Sequence, residues 1–138
     1  MRDIDTARGI ISKSVYTVVV VKNGNVIYSC KDNQLESIVS AITTLQKDIH
    51  GCVIGCSMVG KAAAFLCRFS KPNGVYSMRG TKTGIALLIM GGVPCQVDEM
   101  VLNVESVMDK QMCPFEDVID GSESSEEVYN LVKKELER

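Results

Sequence analysis

No stretch of the sequence is long and apolar enough for a signal peptide or a membrane span, and the first residues, Met1, Arg2, Asp3, Ile4 and Asp5, carry mixed charge. A cytoplasmic protein without a membrane partner is the expectation. Runs of one charge are also missing. Fifteen Lys plus Arg stand against seventeen Asp plus Glu with no block of either, which excludes the electrostatic footprint of a general nucleic-acid binder. No GxxxxGK[ST] segment occurs, so a P-loop nucleotide site is excluded. There is no internal repeat, low-complexity tract or linker. With 138 residues, residues 1–138 read as one domain, able to bury roughly 68% of its unfolded surface without metal or disulfide staples.

Apolar residues make up 46% of the chain and charged residues 23%, a globular rather than a disordered balance. Six cysteines are present, and Cys30, Cys52, Cys56 and Cys67 sit in apolar stretches where Cys behaves as a small hydrophobe. In a reducing compartment they are not expected to form a disulfide framework.

Residues 3–12 read as a helix, and Val15 to Val21 is a β-branched run of the kind found in a central strand covered on both faces. Lys22-Asn23-Gly24-Asn25 supplies a type I′ turn, so Val26 to Cys30 returns as its hairpin partner. Asn33 with Glu36 marks a helix start, and Leu35, Ile38, Val39, Ile42, Leu45 and Ile49 keep helical spacing up to Gly51. Cys52 to Met58 is a buried strand or, at Gly55, a close backbone approach. Lys61 to Phe69 is apolar nearly all round and reads as a buried helix.

After a Lys71-Pro72-Asn73-Gly74 turn, Val75 to Met78 is a strand and Thr81 caps a second buried helix, Ile85 to Met90. Cys95 to Val97 and Val101 to Val107 continue the strands, Pro114 begins a short helix, and a last helix from Ser124 turns Val128, Leu131, Val132 and Leu136 inward. Alternating strands and helices imply right-handed βαβ crossovers. The expected class is therefore three-layer α/β/α, a mixed sheet with an N-terminal antiparallel hairpin and a parallel βαβ region.

Three stretches, TVVVVKNGNVI at 17–27, MVGKAAAFL at 58–66 and CPFED at 113–117, resemble a small prokaryotic family of uncharacterised proteins with a cytidine-deaminase-like fold. Deaminases of that fold place HxE at the start of one core helix and PCxxC at the start of the next, so that one His and two Cys hold zinc and the Glu moves protons. The corresponding starts here are Gly60-Lys61-Ala62 and Thr81-Lys82-Thr83-Gly84, without a zinc ligand. Pro94-Cys95 follows the second helix and lacks a cysteine three residues on, and His50, the one histidine, ends a different helix. Cys52 and Cys56 on one strand would lie about 13 Å apart, too far to share an ion. No metal and no cofactor are expected.

The first turn of a helix presents free N–H groups and the positive end of its dipole, so Gly60 and Lys61 form a candidate site for a small anionic metabolite or nucleotide. Lys61 is also a candidate acid or base, if desolvation lowers its pKa; equally it reads as a lysine snorkelling from a buried helix. Ser57 at the end of the preceding strand, with Arg79, Thr81 and Lys82 on the neighbouring loop, would face the same cleft, because ligands favour the carboxyl edge of parallel strands. A capped helix with a solvated lysine explains the second loop as well.

Cys113 before Pro114 sits at a helix N-cap, where the dipole favours a thiolate, and Glu116 would be its acid partner; ordinary helix-start chemistry is the alternative. Two functions follow. One is a zinc-free, anion-binding domain with Lys61 or Cys113 as catalysts; the other is an interaction or redox-responsive module that self-associates as a homo-oligomer.

Overall fold

The structure, a computed structural model, describes residues 2–102 and 124–136. A five-stranded sheet runs in the order β2-β1-β3-β4-β5, with β1 Val18–Lys22, β2 Asn25–Cys30, β3 Val53–Val59, β4 Gly74–Thr81 and β5 Cys95–Val101. β1 is antiparallel to both β2 and β3, while β3, β4 and β5 are mutually parallel. Helix α1 (Asp3–Ile11) covers one face; α2 (Gln34–Leu45), α3 (Lys61–Phe69) and α4 (Lys82–Met90) cover the other, and α5 (Ser125–Leu136) lies over α3 and α2. This is the three-layer α/β/α mixed sheet that the sequence implies.

The hairpin forms where Asn23 and Gly24 take φ of 52° and 81°, the two positive angles of a type I′ turn. Asp3 holds that turn from α1: its carboxylate accepts from the Asn23 N–H at 3.0 Å and the Gly24 N–H at 2.7 Å. Val18 to Val21 are fully buried, as a central strand requires, whereas Val15 lies before the strand and is exposed. Gly55 gives both expected readings at once. It sits inside β3, and a Cβ there would meet Val19 Cγ2 at 2.9 Å and Ala7 Cβ at 3.0 Å, so glycine lets α1 settle on the sheet.

Asn33 caps α2, its side chain accepting from Leu35 N–H at 3.1 Å and Glu36 N–H at 3.2 Å. The helical spacing up to Ile49 is only partly α-helical, because Gln46 takes φ of 50° and the chain continues as a 3₁₀ turn over Gln46–Ile49. α3 is buried on every side, with the sheet beneath it, α2 and α4 beside it and α5 on top; Phe69 stacks on Tyr129 with ring centroids 4.5 Å apart.

Two expectations are corrected. α4 is not a buried helix: Gly84 and Leu88 are buried, but Ile89 and Met90 are 63% and 77% exposed, because among the described helices α4 stands at the end of the row with α3 on one flank. The break expected between Val97 and Val101 does not exist. Cys95–Val101 is one strand, the last in the order of the described strands, and its charged residues have partners: Asp98 meets Arg8 at 3.2 Å and Tyr76 at 2.5 Å, and Glu99 meets Arg79 at 3.6 Å. Burial, with Asp98 beside it, pushes the Tyr76 phenol up to about 12. Residues 103–107, and the helix start at Cys113 and Pro114, lie outside the described residues.

Candidate functional site

Parallel pairing of β3 and β4 puts Met58 opposite Arg79 and Val59 opposite Gly80, so α3 and α4 leave the same sheet edge side by side. The two helix starts touch. A Cβ on Gly84, in the first turn of α4, would lie 2.5 Å from the Val59 carbonyl oxygen and 2.9 Å from that of Gly60. Thr81 caps α4 by accepting from the Gly84 N–H at 3.0 Å. Gly60, Lys61, Thr81 and Lys82, expected to share one edge, are thus brought together.

Not all of the candidate side chains are available there. The Ser57 hydroxyl donates to Gln34 Oε1 at 2.7 Å, Thr81 is occupied by its cap, and the Arg79 guanidinium pairs with Glu99. Lys61 is half-buried and Lys82 exposed, and the ion pairs of the described residues engage neither. Cys113 and Glu116 lie outside the described residues, so no geometry joins them to Lys61.

Gln34, which sequence reasoning passed over, organises the end of β3. Only 1% exposed, its Oε1 accepts from Ser57 Oγ and from the Met58 N–H, both at 2.7 Å, and its Nε2 donates to the Met58 carbonyl. A carboxamide both donates and accepts in this way without charge at any pH. Its sequence signal was slight, a polar residue directly after an N-cap. Gly84 had a clearer one, since an isolated glycine in an apolar helix costs ~1 kcal/mol against alanine and so points to a packing constraint.

Beneath the edge, Cys56 of β3 and Cys67 of α3 are fully buried, and hydrogen bonding between them together with burial pushes the Cys67 thiol well up. Such a thiol is a core group rather than a nucleophile.

A five-stranded sheet of this order, with helices after β3 and β4 crossing the same face, is an α/β fold like that of the deaminases. RibD from Acinetobacter baumannii superposes with a TM-score of 0.57 at 12% identity, over 70% of this chain and 36% of RibD. The apo dCMP deaminase of the cyanophage S-TIM5 gives 0.50 at 17% identity, over 72% of this chain and 94% of the enzyme. The chain belongs to the DUF1893 family, a domain of unknown function, whose profile matches residues 6–136. The crystal structure of the Thermotoga maritima member TM1506 is 26% identical with a TM-score of 0.83, covering 96% of this chain and 89% of that one. No functionally curated protein matches the chain.

Deaminase zinc needs His and Cys donors at the two helix starts. This chain has two lysines there, whose ammonium groups repel a dication, and a glycine pressed against carbonyl oxygens. Among the described residues no three His, Cys, Asp or Glu side chains converge as metal ligands. The residues at these starts do not fit a zinc ion.

Proposed function

We propose that this protein is a zinc-free, deaminase-like domain that binds a small anionic metabolite or nucleotide at the joined starts of α3 and α4. One observation carries the reading. Both helices begin with a lysine, Lys61 and Lys82, and neither has an acidic residue in its first turn. A cation at the positive end of a helix dipole is unfavourable by ~0.3–1 kcal/mol, and two adjacent dipoles compound it. An anion between the helix starts reverses the sign of every one of these terms.

The test is thermal denaturation with inorganic phosphate and with a nucleoside monophosphate. A compound present at a hundred times its dissociation constant stabilises the protein by about 2.7 kcal/mol, and Lys61→Ala removes most of that gain. The apo variant keeps its wild-type melting temperature, since Lys61 joins no ion pair among the described residues. A destabilised apo variant that still binds normally makes Lys61 structural and ends this reading.

A second reading is favoured by the outer flank of α4 and β5. Ile89 and Met90 at the carboxyl end of α4 are 63% and 77% exposed, and Met100 and Leu102 at the far end of β5 are 63% and 91% exposed, along the unpaired edge of β5 among the described strands. Exposed apolar groups spaced along a sheet edge fit pairing with a second chain. Sedimentation of wild type and of an Ile89→Asp, Met100→Lys variant tests it: self-association predicts a larger wild-type species that the variant dissociates, and equal masses dismiss it.

A further inference from the structure

We infer that the protein has a second ligand site, for a phosphorylated small molecule, at the opposite end of α3 from Lys61. β3 and α3 run in opposite senses, so nine residues of helix at 1.5 Å each separate the two ends by about 13 Å. Where α3 ends, a cavity of about 620 Å³ opens between the 3₁₀ turn, the loop leading into β4 and the start of α5. Its size falls inside the range of about 300–1,000 Å³ that holds small ligands.

The walls have two chemistries. Ile42, Ile49 and Phe69 are apolar; Lys47, His50, Arg68 and Lys71 bring cationic or ionisable nitrogen groups from separate segments. The ion pairs of the described residues engage none of these four. Some positive charge is expected there without a ligand, because the carboxyl ends of α2 and α3 attract cations, each with about half an elementary charge. Two such ends do not balance Lys47, Arg68 and Lys71, while the start of α5 carries Glu126 and Glu127 in its first turn. Glu126 is the one acidic residue among the described lining residues.

Three cationic side chains to one acidic among the described lining residues, around a partly apolar cavity, match a dianion with an organic body better than a monocarboxylate. Arg68 adds a planar fork suited to phosphate oxygens, and it is already held over the Phe65 ring at 5.5 Å. A phosphomonoester of nucleotide size satisfies both walls.

Isothermal titration with inorganic pyrophosphate and with adenosine monophosphate tests the site on the full chain. Wild type binds saturably. Lys47→Gln with Lys71→Gln weakens binding at least tenfold while the melting temperature holds. Glu126→Gln, a surface change that cannot unfold the core, tightens it two- to fivefold. Lys61→Ala removes only the binding step of the site proposed at the helix starts and leaves the step that depends on Lys47 and Lys71 in place, which separates the two sites. Absence of saturable binding to wild type at millimolar ligand, indifference to Glu126→Gln and to the double substitution, or loss of that second step in Lys61→Ala overturns the cavity site.

Discussion

Replacing Gly84 by alanine lowers the stability of the protein by about 2 kcal/mol, although alanine is the better helix former. The propensity gain is ~1 kcal/mol. Against it stands a Cβ placed 2.5 Å from the Val59 carbonyl oxygen and 3.0 Å from the Val59 carbonyl carbon. These are backbone atoms of a buried strand end, which cannot swing aside as a side chain does, so the overpacking cost lies near the top of its usual range, ~3 kcal/mol. For a chain of this length the net loss is a fall of roughly 7 °C in melting temperature. Calorimetry reads it directly. An unchanged or raised melting temperature means that α4 slides along the sheet at little cost and that the helix starts are not tightly joined.

A larger loss is expected at Gln34. Truncation to alanine strands the Met58 N–H and carbonyl and the Ser57 hydroxyl together, each having had Gln34 as a partner. At ~1–3 kcal/mol for each buried polar group left unpaired, the destabilisation is about 4 kcal/mol, an exceptional value for one substitution. Gln34→Glu separates hydrogen bonding from packing. Ionised, the glutamate accepts from Ser57 and Met58 but faces the Met58 carbonyl with another acceptor; protonated, it donates. The folded state therefore holds its carboxyl above the unfolded value of about 4.3. Its stabilising contribution is complete below pH about 4.3 and disappears as the pH rises through the folded-state pKa. Urea melts of the Glu variant at pH 4 and pH 7 test this sign: greater stability at pH 7 rules out the donor role of the side chain.

What the sequence made legible was local. Asn23-Gly24 needs positive φ whatever surrounds it; Asn33 and Thr81 cap helices from within their own first turns; Val18 to Val21 have no polar atom to show to water. The two helix starts could be placed on one edge because right-handed crossovers leave no other arrangement for β3 and β4. What stayed hidden depends on partners distant along the chain. Ile89 and Met90 look like core residues until the position of α4 at the end of the row of described helices is known. Ser57 and Arg79 look like free ligands until Gln34 and Glu99 are found beside them. The basic cavity is assembled from residues 42–50, 68–71 and 124–126, and its charge balance has no trace in any one segment.

The burial of α3 under α5 also sets a timetable. Phe69 meets its stacking partner Tyr129 sixty positions later, and at ~5–20 residues per second the ribosome takes several seconds to deliver it. From residue 102 onward all the described strands have been made, but α3 still lacks the cover of α5. A nascent chain stalled before residue 125 would therefore offer α3 to chaperones and proteases, and the arrival of α5, rather than synthesis of the sheet, covers that side of the core.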